Sequence, residues 1–207
     1  MFGLSKKEEK FLRTLSTPIK IQNFLDSLPL NWEKGGETYM SPRRVLSMKR
    51  AHCLEGALLA AVSLWLQGEK PLLLDLKTIN GDDHVVALYQ KNNYWGAISK
   101  TNHSSLRFRD PIYKTIREIT VSYFHEYFSD ETGQKILISY SRPFDLSLLG
   151  ESWVTANEEL FDLAQKIDDS RHFVIFPKKN KRYLRPADKM ERKAGLLREW
   201  TKKNKRA

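Results

Sequence analysis

The sequence predicts an α+β domain in which a central helix packs on an antiparallel sheet, with a basic extension at the C-terminal end. Three observations predict it. From Cys53 to Leu66 the residues Ala57, Leu58, Ala61, Val62, Leu64, Trp65 and Leu66 cover most of a helical circumference, the pattern of a helix with neighbours on all sides. Two alternating apolar runs, Asn80 to Gln90 and Tyr94 to Ser99, are joined by Lys91-Asn92-Asn93 and read as a β-hairpin. The charge is also lopsided: residues 171–207 hold 14 Lys and Arg against 3 Asp and Glu, so they carry the whole of the chain's net +10 while residues 1–170 sum to about −1.

At 207 residues and 41% hydrophobic content, the chain suffices for one well-buried domain with appendages. Phe11, Leu12 and Leu15 suit a short amphipathic helix that ends before Thr17-Pro18. Thr17 and Pro18 then form an N-cap and first-turn proline for a helix with Ile21, Phe24, Leu25 and Leu28 on one face. Asn31 to Tyr39 reads as a loop. Ser41-Pro42 repeats the start signal for a helix through Met48, and Gly68 stops the central helix. Pro71 to Leu76 has the length and apolarity of a central strand. Thr115-Ile-Arg-Glu118 is a capping box opening a helix with Ile116, Ile119, Tyr123 and Tyr127 on one face. Lys135 to Tyr140 and His172 to Phe176 read as strands, with an amphipathic helix near Glu158 to Ile167 between them.

The candidate chemistry starts at Cys53, the chain's one cysteine. At the first turn of a helix, unpaired N–H groups and the positive dipole end favour a thiolate, although a lone cysteine is also a common packing residue. His84 stands at the mouth of the first hairpin strand, and an imidazole facing a thiol is the proton carrier that nucleophilic sulfur needs. Glu55 lies off the face of Cys53 and suits the helix's positive end, His52, adjacent to the thiol in sequence, either tunes the site or points elsewhere, and Asp82 and Asp83 read as a solvated turn.

Taken together, Thr17 to Leu25, Tyr39 to Leu46, Cys53-Leu-Glu-Gly-Ala-Leu-Leu-Ala-Ala, Asp83-His84-Val-Val-Ala-Leu-Tyr and Trp95-Gly-Ala-Ile-Ser99 form an ordered set that resembles the transglutaminase-like superfamily, a papain-like group, in a bacterial-type member. The resemblance spans roughly residues 14–128. It implies a Cys53–His84 pair acting on an amide or peptide bond, with a third residue on the strand after the histidine. That position falls near Ser99, where the family carries Asp. Ser99 can orient a ring only by hydrogen bonding; Asn102 is an alternative, and Asp110 is the nearest downstream carboxylate, although Asp110-Pro111 also reads as a helix N-cap. The resemblance also puts Trp32 and Tyr39 near a substrate groove, while the polar loop from Lys100 offers Arg107 and Arg109 to a substrate carboxylate.

The expected organisation is a core over residues 1–130, a sheet and helix extension of the same domain over 131–177, and a basic tail over 178–207. The function expected is that of a cysteine peptidase or amidase, with acyl transfer to an amine as the variant; the alternative is a weak or inactive binding module whose tail contacts nucleic acid or another anionic partner. A single cysteine and the lack of a long apolar segment suggest a reducing, cytoplasmic setting. No sequence motif implies a metal or nucleotide cofactor.

Overall fold

The computed structural model describes residues 2–206, so Met1 of the expected core and Ala207 of the expected tail lie outside the described residues. Four helices come first: α1 (Lys6–Thr14), α2 (Pro18–Ser27), α3 (Pro42–Met48) and α4 (Cys53–Leu66). Each of the first three starts on a hydroxyl cap, from Ser5, Thr17 and Ser41 respectively, and the last two have proline in the first turn as the sequence predicts. α4 ends at Leu66 with Gln67 as its C-cap and Gly68 beyond it at φ +87°, a conformation that favours glycine.

Strands β1 (Leu72–Thr78), β2 (His84–Lys91), β3 (Tyr94–Ile98) and β4 (Arg109–Tyr113) follow. Helix α5 (Ile116–Phe124), β5 (Leu137–Ser141), β6 (Phe144–Asp145), α6 (Phe161–Asp168), β7 (His172–Val174) and α7 (Lys189–Gly195) complete the regular elements. The sheet runs β4-β3-β2-β1-β5-β7, with β6 also on β1, and every pairing is antiparallel. Asn92 and Asn93 close the hairpin with φ of 50° and 66°, the two left-handed positions that suit the strand twist. β5 and β7 enter this same sheet, which makes residues 131–177 part of one α+β fold.

The core lies on both sides of the sheet. Val85, Ala87 and Tyr89 join Leu58, Ala61 and Val62 of α4, whereas Val86 and Leu88 join Ile119 and Tyr123 of α5. Strand alternation thus feeds two apolar faces, and β2 reads as a continuous apolar run because both are covered. Gly56 permits a close approach of Lys100, just past β3, to α4: a Cβ there would sit 2.4 Å from Cβ of Lys100. That contact, one helical turn after Cys53, seats the segment that follows β3 and carries Ser99.

Several expectations change. Asp110-Pro111 is not a helix cap but part of strand β4, where an edge position tolerates the missing N–H. Thr115 caps α5 as expected, but Glu118 reaches the N–H of Lys114 rather than that of the cap residue, so the box is incomplete. The segment beyond Pro177 is folded against the domain. It contains a 3-10 turn over Lys178–Tyr183 and helix α7, and it buries Trp200 to 7% exposure. No helix among the described residues is long and apolar enough to cross a membrane.

Candidate active site

The start of α4 is pinned before any chemistry is considered. Leu30 and Ala51 form a parallel bridge, with Asn31 N–H donating to the Ala51 carbonyl at 3.1 Å and Ala51 N–H to the Pro29 carbonyl at 3.2 Å. Glu55, fully buried, accepts from Asn31 Nδ2, from Thr38 Oγ1 at 2.9 Å, from Met40 N–H at 3.1 Å and from His52 N–H at 2.9 Å. One carboxylate therefore ties the Asn31–Met40 loop to the helix start. His52 supplies the cap: its Nδ1 accepts from Leu54 N–H at 3.2 Å, and its Nε2 lies 2.7 Å from the Thr38 carbonyl. In the neutral ring those two bonds put the proton on Nε2.

Cys53 is half-buried in the first helical position, where its own N–H has no acceptor within the helix. Burial pushes its thiol up, but hydrogen bonding and charge from His52 and His84 outweigh that and leave the pKa well below the ordinary value. His52 responds in kind. Burial pulls its pKa down, yet the thiol beside it, with Glu55 and the Thr38 backbone, carries it up to about 9. An imidazolium at this position must give up the Leu54 cap, because Nδ1 cannot both hold a proton and accept one.

His84 opens β2 opposite Leu76 and is 5% exposed. Its Nε2 is 2.8 Å from Ser99 Oγ, and Ser99 Oγ is 2.7 Å from the Leu106 carbonyl. A hydroxyl has one proton. Given to Leu106, it leaves Ser99 as acceptor, so His84 holds its proton on Nε2 and keeps the Nδ1 lone pair for the thiol. Ser99 is itself fixed by Gln22 of α2, which accepts from its N–H at 2.9 Å and donates to its carbonyl at 2.8 Å.

Each member of this pair lines a different cavity. A cleft of about 660 Å³ exposes Cys53 and His52 beside Tyr39, Asp75, Phe161 and Asp162. A second, of about 570 Å³, exposes His84 with His103, Tyr127 and Arg198, and Asp83 lines both. Tyr39, a predicted groove residue, stands in the first, its ring 5.2 Å from that of Phe161.

Other predicted site residues lie elsewhere. Asn102 does not reach His84, because its amide donates to the Trp200 carbonyl at 3.0 Å and accepts from Trp200 N–H at 2.6 Å. Asp110 is exposed on β4. Trp32 donates from Nε1 to Asn204 Oδ1 at 2.5 Å and lines neither cavity. Arg107 is paired with Glu199, and Arg109 with Glu126 at 2.8 Å while lying over the Tyr123 ring, so neither is offered to a substrate carboxylate. Sequence reasoning left open whether His52 tunes the thiol or points elsewhere; as N-cap beside the N1 cysteine it interacts with the thiol. Sequence reasoning missed Asp75, Phe161 and Asp162, which reach the cleft from β1 and, more than 100 residues after Cys53, from α6, with no local signal.

The chain matches no protein-family model, and no curated protein matches it in sequence.

Proposed function

We propose that this protein is a transglutaminase-like cysteine hydrolase that cleaves an amide or peptide bond. The observation that carries the reading is a thiol of depressed pKa at a helix start, opening into a cleft and interacting with a histidine whose far nitrogen is fixed by Ser99. Ser99 takes the place of the acid usual in that superfamily; it sets the tautomer of His84 without supplying charge.

In the proposed reaction His84 Nδ1 accepts the Cys53 proton and sulfur bonds to the substrate carbonyl carbon. The Cys53 N–H stabilises the oxyanion. Collapse breaks the C–N bond as His84 returns the proton to the leaving amine, giving a thioester. Water activated by the same ring then releases the acid and restores the thiol. His52, bonded at both nitrogens, is the less suited base and acts through the thiol's charge.

The test is intact-mass analysis of the full chain treated with a peptidyl vinyl sulfone. A single adduct at Cys53, formed below neutral pH and suppressed in His84→Ala, supports the reading. Alkylation no faster than that of free cysteine overturns it.

A second reading has its own observation. Lys178, Lys179, Lys181 and Arg182 are exposed on one turn and form no ion pair among the described residues, a surface suited to phosphates of nucleic acid or another anionic partner. Affinity that falls steeply with salt and is lost when these four are changed to Gln supports it.

A further inference from the structure

The cleft at Cys53 has a charge opposite to that of the chain. Glu33, Glu37, Asp75, Asp83, Asp162 and Asp168 line it, and no Lys or Arg does among the described residues. The cavity on the His84 side adds the exposed Asp82 and Glu131, while its Glu126 pairs with Arg109 at 2.8 Å and its Asp130 with Arg198. Some of these carboxylates are already engaged. Asp168 pairs with Lys77 at 2.8 Å, Asp75 with His172 at 3.1 Å, and Asp83 accepts from Thr78 N–H at 2.7 Å. Glu37 and Asp162 are exposed at the cleft and have no cationic partner among the described residues. In a molecule of net +10, a cavity walled in this way is a local reversal of sign, and at physiological salt charges act over only about 8 Å. What an entering ligand meets is therefore the lining, not the net charge.

We infer that the substrate of this cleft is a cationic peptide, with Lys or Arg side chains on both sides of the bond that Cys53 attacks. This rests on the hydrolase reading for the attack, but not for binding. Glu37 and Asp162 take the ammonium or guanidinium groups on the thiol side, while Asp82 and Glu131 draw those on the His84 side. The rings of Tyr39 and Phe161, packed edge to face with centroids 5.2 Å apart, offer one apolar wall to the aliphatic stems. Phosphate-bearing ligands meet the wrong sign here, which confines any nucleic-acid contact to the tail surface.

The test measures binding without chemistry. Full-length Cys53→Ala is titrated with fluorescein-labelled Lys-Lys-Gly-Gly-Lys-Lys and with the matching Glu peptide, followed by anisotropy at 50 and 300 mM salt. The Lys peptide is expected to bind at least about tenfold more tightly than the Glu peptide, to weaken as salt rises, and to lose about tenfold in the Glu37→Gln/Asp162→Asn background. Both substitutions are at exposed positions, and an unchanged melting temperature certifies the fold. Equal affinity for the two peptides, or no loss in the double variant, overturns the inference. Because this measurement needs no reactive sulfur, its failure is separate from a failure of Cys53 to form the vinyl sulfone adduct.

Discussion

His84 Nε2 and Ser99 Oγ stand 2.8 Å apart, and the same hydroxyl lies 2.7 Å from the Leu106 carbonyl. Both residues are buried, and the Leu106 carbonyl completes the chain His84–Ser99–Leu106. A hydroxyl in this place gives direction to the ring and nothing to its charge. That distinguishes it from a carboxylate, which would face the Leu106 carbonyl with no proton to offer.

Removing the hydroxyl leaves a ring N–H and a carbonyl unpaired. Ser99→Ala is expected to cost about 1–3 kcal/mol, read as a lower urea midpoint at unchanged slope. The freed ring rotates, so vinyl sulfone addition at Cys53 is expected to slow by about tenfold or more. Ser99→Thr keeps the hydroxyl and should retain both properties better than Ala does.

The thiol has its own pH signature. A depressed thiol pKa predicts iodoacetamide alkylation that persists below pH 7, with His84→Ala and His52→Ala each moving the profile upward. The stability signs are opposite for the two partners. His52, raised from 6.5 to about 9, contributes stability that is fully present below pH 6.5 and is lost as pH rises through about 9. Cys53, depressed, contributes stability that is present above its ordinary value of 9.0 and is lost as pH falls through its folded pKa. Cys53→Ala removes the thiol's contribution and its share of the His52 shift, so the melting temperature of the variant is expected to vary less with pH.

Glu55 gives a sharper stability prediction. Four groups donate to its carboxylate: Asn31 Nδ2, Thr38 Oγ1, Met40 N–H and His52 N–H. Glu55→Gln turns an NH2 toward some of them. The expected cost is about 2–4 kcal/mol by urea denaturation, with faster proteolysis of the Asn31–Met40 loop that the carboxylate holds. A near-neutral substitution shows that the network is not holding the helix start.

Much of this scaffold was legible because its signals are local. Ser41-Pro42, Thr17-Pro18, Asn92-Asn93 and Gly68 act within a few residues of where they stand, and the structure uses each as read. Cys53, His84 and Ser99 were legible as an order of segments. The fate of Asn102, Arg107 and Trp32 was not, since their partners Trp200, Glu199 and Asn204 are between 92 and 172 residues away in sequence. A basic composition concealed the fold of the last segment. Its cations read as solvated, while Trp200 and the Asn102 clamp that decide its position carry no charge. Asp162 was hidden likewise: a carboxylate on an amphipathic helix reads as surface until the sheet brings that helix to the thiol.

The Asn102–Trp200 clamp separates a folded strap from a loose tail. Asn102 meets both the N–H and the carbonyl of Trp200, whose ring is buried with the Lys100 ammonium 5.7 Å from its centre. Lys100 in turn donates to the Leu28 carbonyl at 2.5 Å, and burial lowers its pKa to about 8. Asn102→Ala leaves two backbone groups unpaired and should favour local release of the strap over global unfolding, because release re-exposes them to water. A local penalty of about 2 kcal/mol raises the open fraction roughly 30-fold. Trypsin reads that fraction directly at Arg198, Lys202 and Lys203. Cleavage there is expected to be slow in the parent and about 30-fold faster in Asn102→Ala, while the urea midpoint moves much less. Equal cleavage rates in the two chains contradict the clamp and return this segment to a solvated tail.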